Sequence, residues 1–101
     1  MIRHIVLFKF KKGVTQQEKN SLARELENLG KIIERVRSLE VAFDEARQHN
    51  SYDLALNAVF DTMEDMEAYS VHPAHVKAVD TVNRLCETRV KIDYTTKWVA
   101  M

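Results

Sequence analysis

The chain has 101 residues, 46% of them hydrophobic and 30% charged, with two glycines and one proline. This length and balance fit one folded domain over residues 1–101 with its own core, and exclude a disordered or low-complexity chain. Fifteen basic residues balance fifteen acidic ones, so no net field draws in a phosphate backbone or an anionic lipid surface, and neither nucleic acid nor membrane is an expected partner.

In the first stretch, Ile2 to Phe10 is rich in β-branched and aromatic residues and ends in Lys11, Lys12 and Gly13. That pattern predicts a central strand with His4, Val6, Phe8 and Phe10 on one face and Arg3, Ile5, Leu7 and Lys9 on the other. The lysines at its end read as a solvated exit. The same run is too short, and too interrupted by Arg3, His4 and Lys9, for a signal peptide or membrane span. A soluble, cytoplasmic protein is expected. The lone Cys86 agrees with a reducing compartment, since it has no partner for an internal disulfide.

Thr15 followed by Glu18 fits a capping box and predicts a helix start. Leu22, Leu26, Leu29 and Ile33 follow at helical spacing, with Gly30 expected to end or loosen the helix. Leu39, Val41 and Phe43 then alternate with polar residues as in a half-buried strand, Ala46 to Asn50 form a turn, and Tyr52 to Asp61 carry the longest period-two signal. Thr62 and Asp65 can cap a short helix with Met63, Met66, Tyr69 and Ser70 inward. Pro73 interrupts it: His72 becomes a boundary and Pro73 the first residue of a new helix. There His75, Val79, Val82 and Cys86 recur on one stripe, and Arg89 to Thr96 reads as a closing strand.

The order β-α-β-β-α-β, with the last helix kinked in two, predicts a ferredoxin-like α+β fold: a four-stranded antiparallel sheet with helices on one face. The other face should read polar if water covers it. Ile5, Leu7, Ala42, Ala55 and Val59 do not comply, so a homodimer packed through the sheet faces is expected. Trp98 and Val99 are further interface candidates.

Chemistry concentrates in YSVHPAHVKAV, Tyr69 to Val79. Tyr69 and His75 occupy inward positions of successive helical segments, and the bend at Pro73 can bring them to one helix-to-sheet space. An imidazole exchanges protons near neutral pH while a phenol donates a hydrogen bond, which makes His75 a candidate base and Tyr69 its partner. His4 joins them if its strand face looks toward the helices. An inward histidine is equally a packed core residue with a satisfied hydrogen bond. No metal or cofactor is expected: His72 and His75 have no carboxylate beside them, His49 lies in a turn, and there is no phosphate-binding glycine loop. Cys86 reads as a buried thiol.

HIVLFKFK near the N-terminus, SYDLALNAVF, YSVHPAHVKAV and the closing KIDYT together resemble the stress-responsive A/B-barrel (Dabb) domain, from Ile2 to Thr96. The Tyr-x-x-His-Pro-x-His segment is the most specific part. The resemblance implies a dimeric α+β barrel, in a family where most members have no assigned reaction. Plant polyketide cyclases of the family close a polyketide by aldol chemistry without metal or organic cofactor, and the cofactor-independent monooxygenases share the barrel. The cyclase resemblance implies Tyr69 and His75 as catalytic pair, with His4 matching the early-strand histidine. This sequence departs from the cyclases at Leu54, where they carry another histidine, at Leu22, Ala23 and Leu26, where their pocket is aromatic, and at Lys77 and Val79, where theirs is small. A small apolar or aromatic ligand beside Tyr69 and His75 is the expectation, with or without catalysis.

Overall fold

The computed structural model describes residues 1–97. Its elements are β1 (Ile2–Phe10), α1 (Gln16–Ile32), β2 (Val36–Phe43), β3 (Leu54–Phe60), α2 (Met63–Ser70), α3 (Pro73–Leu85) and β4 (Cys86–Thr95). The strands form one antiparallel sheet in the order β2-β3-β1-β4, which is the expected ferredoxin-like arrangement. Trp98 and Val99 lie outside the described residues. No described helix is long and apolar enough to cross a membrane.

The alternation in β1 decides which face carries the site. Val6, Phe8 and Phe10 are buried in the same core as Leu22, Leu26 and Leu29 of α1 and Ala78, Val82 and Leu85 of α3. His4 shares their side of the strand and is itself buried, so it faces the helices. Register then fixes β4, where Asp93, Lys91 and Arg89 stand opposite His4, Val6 and Phe8. The apolar row of β4 therefore lies on the other face, with Val90, Ile92 and Tyr94 opposite Leu7, Ile5 and Arg3. These three residues are 46%, 58% and 40% exposed, so the alternation of β4 carries the outer apolar strip onto this strand.

Caps and turns follow local chemistry. Thr15 Oγ1 accepts from Glu18 N–H while the Glu18 carboxylate accepts from Thr15 N–H, completing the expected capping box. Thr62 accepts from Asp65 N–H at the start of α2. Met66 and Tyr69 are buried there as expected, whereas Met63 is exposed.

Two expectations need correction. Helix α1 does not stop at Gly30 but continues to Ile32, with Ile33 as its C-cap. The glycine serves a close approach: a Cβ built there would stand 3.1 Å from Leu39 Cβ of β2, so the missing side chain lets helix and sheet meet. Cys86 is not part of the α3 stripe. The helix ends at Leu85, whose carbonyl accepts from Lys11 N–H at 2.9 Å, and Cys86 opens β4 opposite Phe10. Its burial continues the α3 spacing only because helix and strand join beside the same core.

The contact at Gly30 predicts an unusual mutant cycle. Gly30→Ala should destabilise the protein despite the gain of about 1 kcal/mol that alanine brings to a helix interior, and should recover that gain in a Leu39→Gly background, where the opposing Cβ is gone. Urea denaturation of the four variants checks this; a more stable Gly30→Ala single mutant would show that the close approach carries no cost.

Candidate functional site

Pro73 organises the site through what it cannot donate. In a continuous helix its N–H would bond to the Tyr69 carbonyl, and Ala74 N–H would bond to Ser70. Instead His72 N–H donates to Tyr69 O at 3.1 Å, and Ala74 N–H donates to the His72 side chain at 3.1 Å. His72 is thus the N-cap of α3 with Pro73 in the first turn, as its spacing predicts. The Ser70 carbonyl, released from Ala74, accepts from His75 Nδ1 at 2.9 Å.

That bond sets the tautomer. A carbonyl only accepts, so Nδ1 carries the proton and the lone pair of neutral His75 lies on Nε2. The ring rests on Tyr69, with centroids 4.5 Å apart and planes tilted by 51°. Tyr69 in turn packs on Phe60 at 5.0 Å and edge-on to His4 at 6.0 Å. The structure therefore brings together all three residues singled out from the sequence, Tyr69, His75 and His4.

His4 is held from the strand side. Its Nδ1 donates to Asp93 Oδ1 at 2.5 Å, and the other carboxylate oxygen accepts from Lys91 Nζ at 2.5 Å. Burial works to raise the Asp93 carboxyl, but the hydrogen bonds from Lys91 and His4 outweigh it and hold the group below its ordinary 3.8. Burial pushes the Tyr69 phenol up to about 12, which keeps it a donor. Burial also lowers His75 from its ordinary 6.5, against the bond to Ser70 and with help from the charges of His4, Arg89 and His72.

Between these groups and the helices lies a cavity of about 500 Å³. His4, Tyr69, His75 and Ser70 line it together with Arg89 and Lys91 of β4, and its remaining wall is apolar, from residues such as Phe8 and Leu56. Val79 borders the cavity, while Lys77 is exposed and outside it. Leu26 also lines it, but Leu22, Ala23 and Leu54 are packed in the core instead. Among the described residues no three of His, Cys, Asp or Glu gather to hold a metal ion; His49 is exposed in its turn and His72 is spent on the cap. Cys86 is buried and unpaired, and burial raises its thiol to about 11.

Sequence reasoning missed Asp93, Ser70 and Arg89. The signal for Asp93 and Arg89 was the alternation of β4, read without assigning its faces; pairing it antiparallel to β1 sets the charged row opposite His4 and Phe8. Ser70 contributes a backbone carbonyl, for which no side-chain pattern exists.

Residues 2–96 match the model of the stress responsive A/B barrel domain. The chain belongs to the Dabb family. An uncharacterized protein of Streptomyces coelicolor is 38% identical over 81 residues, covering 78% of this chain and 84% of its own. Olivetolic acid cyclase of Cannabis sativa is 26% identical over 96 residues, covering 93% of this Dabb chain and 95% of the cyclase. A crystal structure of a dimeric protein of unknown function with a ferredoxin-like fold, from Bacteroides fragilis, superposes with a TM-score of 0.82 at 32% identity and covers 94% of this chain and 95% of that one.

The lowered His75 sets a pH dependence of stability. Because the folded imidazole holds its proton less tightly than the unfolded one, the stabilising contribution is complete above 6.5 and is lost as pH falls through the folded value. Asp93 loses its own contribution only below its ordinary 3.8. Denaturant unfolding should therefore show lower stability at about pH 5.5 than at about pH 7.5, and a smaller drop in His75→Gln; an equal drop in both proteins would mean that His75 is not the group responsible.

Proposed function

We propose that this Dabb protein is a homodimer that binds a small apolar or aromatic molecule in the cavity between sheet and helices, with Tyr69 and His75 as polar contacts. The observation that carries this reading is the cavity itself: about 500 Å³ of mostly apolar wall on which the two side chains converge. That size and composition match small-molecule sites, which run from about 300 Å³ upward with a few placed polar groups. The dimer rests on the exposed row Val90, Ile92 and Tyr94 beside Ile5 and Leu7, and on the dimeric relative from Bacteroides fragilis. The buried free thiol of Cys86 suits a reducing, cytoplasmic setting.

A second reading, proton transfer on the bound molecule, draws on one specific observation. His75 donates from Nδ1 to Ser70, so Nε2 is the basic atom, and its lowered affinity for protons keeps it neutral at physiological pH. In such a step Nε2 takes a proton from an activated carbon or hydroxyl of the ligand and becomes imidazolium. Tyr69, still protonated, donates to the oxygen on which the electron pair settles, and the proton returns to the product. His4, fixed by Asp93, completes the polar wall. The relationship to olivetolic acid cyclase supports catalysis on this scaffold. Polyketide ring closure itself is not part of the proposal: Leu54 stands in the core between Phe8 and Phe43 rather than at the cavity.

Native mass spectrometry of freshly purified protein should give twice the chain mass, with retained small-molecule mass on part of the population. Ile92→Asp on the outer face should yield a monomer by light scattering at micromolar concentration; a wild-type monomer there would overturn the dimer. For any ligand that turns over, His75→Ala should lower kcat by about 10²-fold or more with the fold intact by circular dichroism, and unchanged turnover would eliminate His75 as the base.

A further inference from the structure

The cavity wall on β4 is charged in a way that the binding of a purely apolar molecule does not use. Arg89 and Lys91 both line it. Lys91 is committed, since its ammonium pairs with Asp93 at 2.5 Å and Asp93 is shared with His4. Arg89 is not: among the described residues it takes part in none of the ion pairs, which are His4 with Asp93, Arg35 with Asp65, Arg37 with Asp61, Arg84 with Glu18 and Lys91 with Asp93. Lys91 and Asp93 cancel, so among the described residues the guanidinium of Arg89 is the cationic side chain left without an ion-pair partner at a mostly apolar cavity wall.

The geometry points to a ligand with an anionic end, a carboxylate that docks on Arg89 while its apolar or aromatic body fills the cavity. This deepens the binding reading above and rests on it. A guanidinium presents a planar fork of donors that matches a carboxylate in two parallel hydrogen bonds, and it stays charged at every relevant pH. Position gives the length of the molecule. Asp93, opposite His4, and Arg89, opposite Phe8, are four residues apart along β4, which at about 3.4 Å per residue is about 14 Å. The long side chain of Arg89 shortens that span, so an acid of one ring and a short chain bridges from Arg89 to the Tyr69 and His75 end. The substrate class is an elongated aromatic or alicyclic monocarboxylate whose second polar group meets His75.

The test compares para-hydroxyphenylpropanoate with the matching alcohol, para-hydroxyphenylpropanol, by isothermal titration calorimetry at about pH 8, where the acid is ionised and His75 neutral. The propanoate should bind about fivefold more tightly than the alcohol. Arg89→Leu should abolish that preference while leaving alcohol affinity unchanged, which also reports an intact cavity, and added salt should shrink it in the wild type. Equal affinity for both molecules in the wild type overturns the anionic end but leaves the cavity as a binding site. A preference that survives Arg89→Leu overturns the role of that guanidinium. Binding of neither molecule overturns the cavity reading and this inference with it.

Discussion

The arrangement depends on one diverted hydrogen bond. At the joint of α2 and α3 the Ala74 N–H goes to the His72 ring rather than to Ser70, and the freed Ser70 carbonyl accepts from His75. A helix that ran on through this segment would bind Ser70 in its own ladder and leave His75 with no fixed tautomer. Proline is what prevents that, because it supplies no N–H for Tyr69 and biases His72 into extended backbone, seen at φ −62° and ψ 136°. The break does not simply bend the chain; it converts a backbone acceptor into a clamp for a side chain.

From that clamp a chain of contacts runs across the domain, from Ser70 to His75, Tyr69 and His4, and then to Asp93 and Lys91. It links both helical segments to both strands that flank the cavity. Polar groups in so apolar a setting are costly unless each finds a partner. Among the described residues no fully buried side-chain nitrogen or oxygen lacks one. The two histidines solve the problem with different acceptors, a carbonyl for His75 and a carboxylate for His4, so one imidazole is held by a neutral group and the other by a charged one.

Much of the architecture was legible because it rests on short-range chemistry. Thr15 with Glu18, Thr62 with Asp65 and His72 with Pro73 each declare a helix boundary within four residues, and alternation locates β1 and β3. The convergence of Tyr69 with His75 followed from the same local logic. What depends on distant neighbours was not legible. Gly30 reads as a helix end until Leu39 is known to lie against it, and Cys86 continues a helical stripe until Phe10 claims it for the sheet. Asp93 looks like the solvent side of a strand because apolar residues usually face the core; here Val90, Ile92 and Tyr94 face away from it.

That inverted strand has a consequence for how the sheet must assemble. The pairing of β1 with β4 is regular from Ile2 to Lys9 and shifts between Lys9 and Phe10, just where the chain leaves α3. Strand side chains alternate with a period of two, so an error of one residue would exchange the entire set of faces. Val90 and Ile92 would turn to the helix side with Val6 and Phe8 and leave the outer strip, while Asp93 would abandon His4. Only one phase of β4 sets Asp93 opposite His4 and the apolar row opposite Ile5 and Leu7. The irregularity beside Phe10, next to the Lys11 N–H bond to the Leu85 carbonyl, lies where the chain passes from α3 into β4, so the strand holds the phase that gives the cavity its charged wall from within a few residues of that joint.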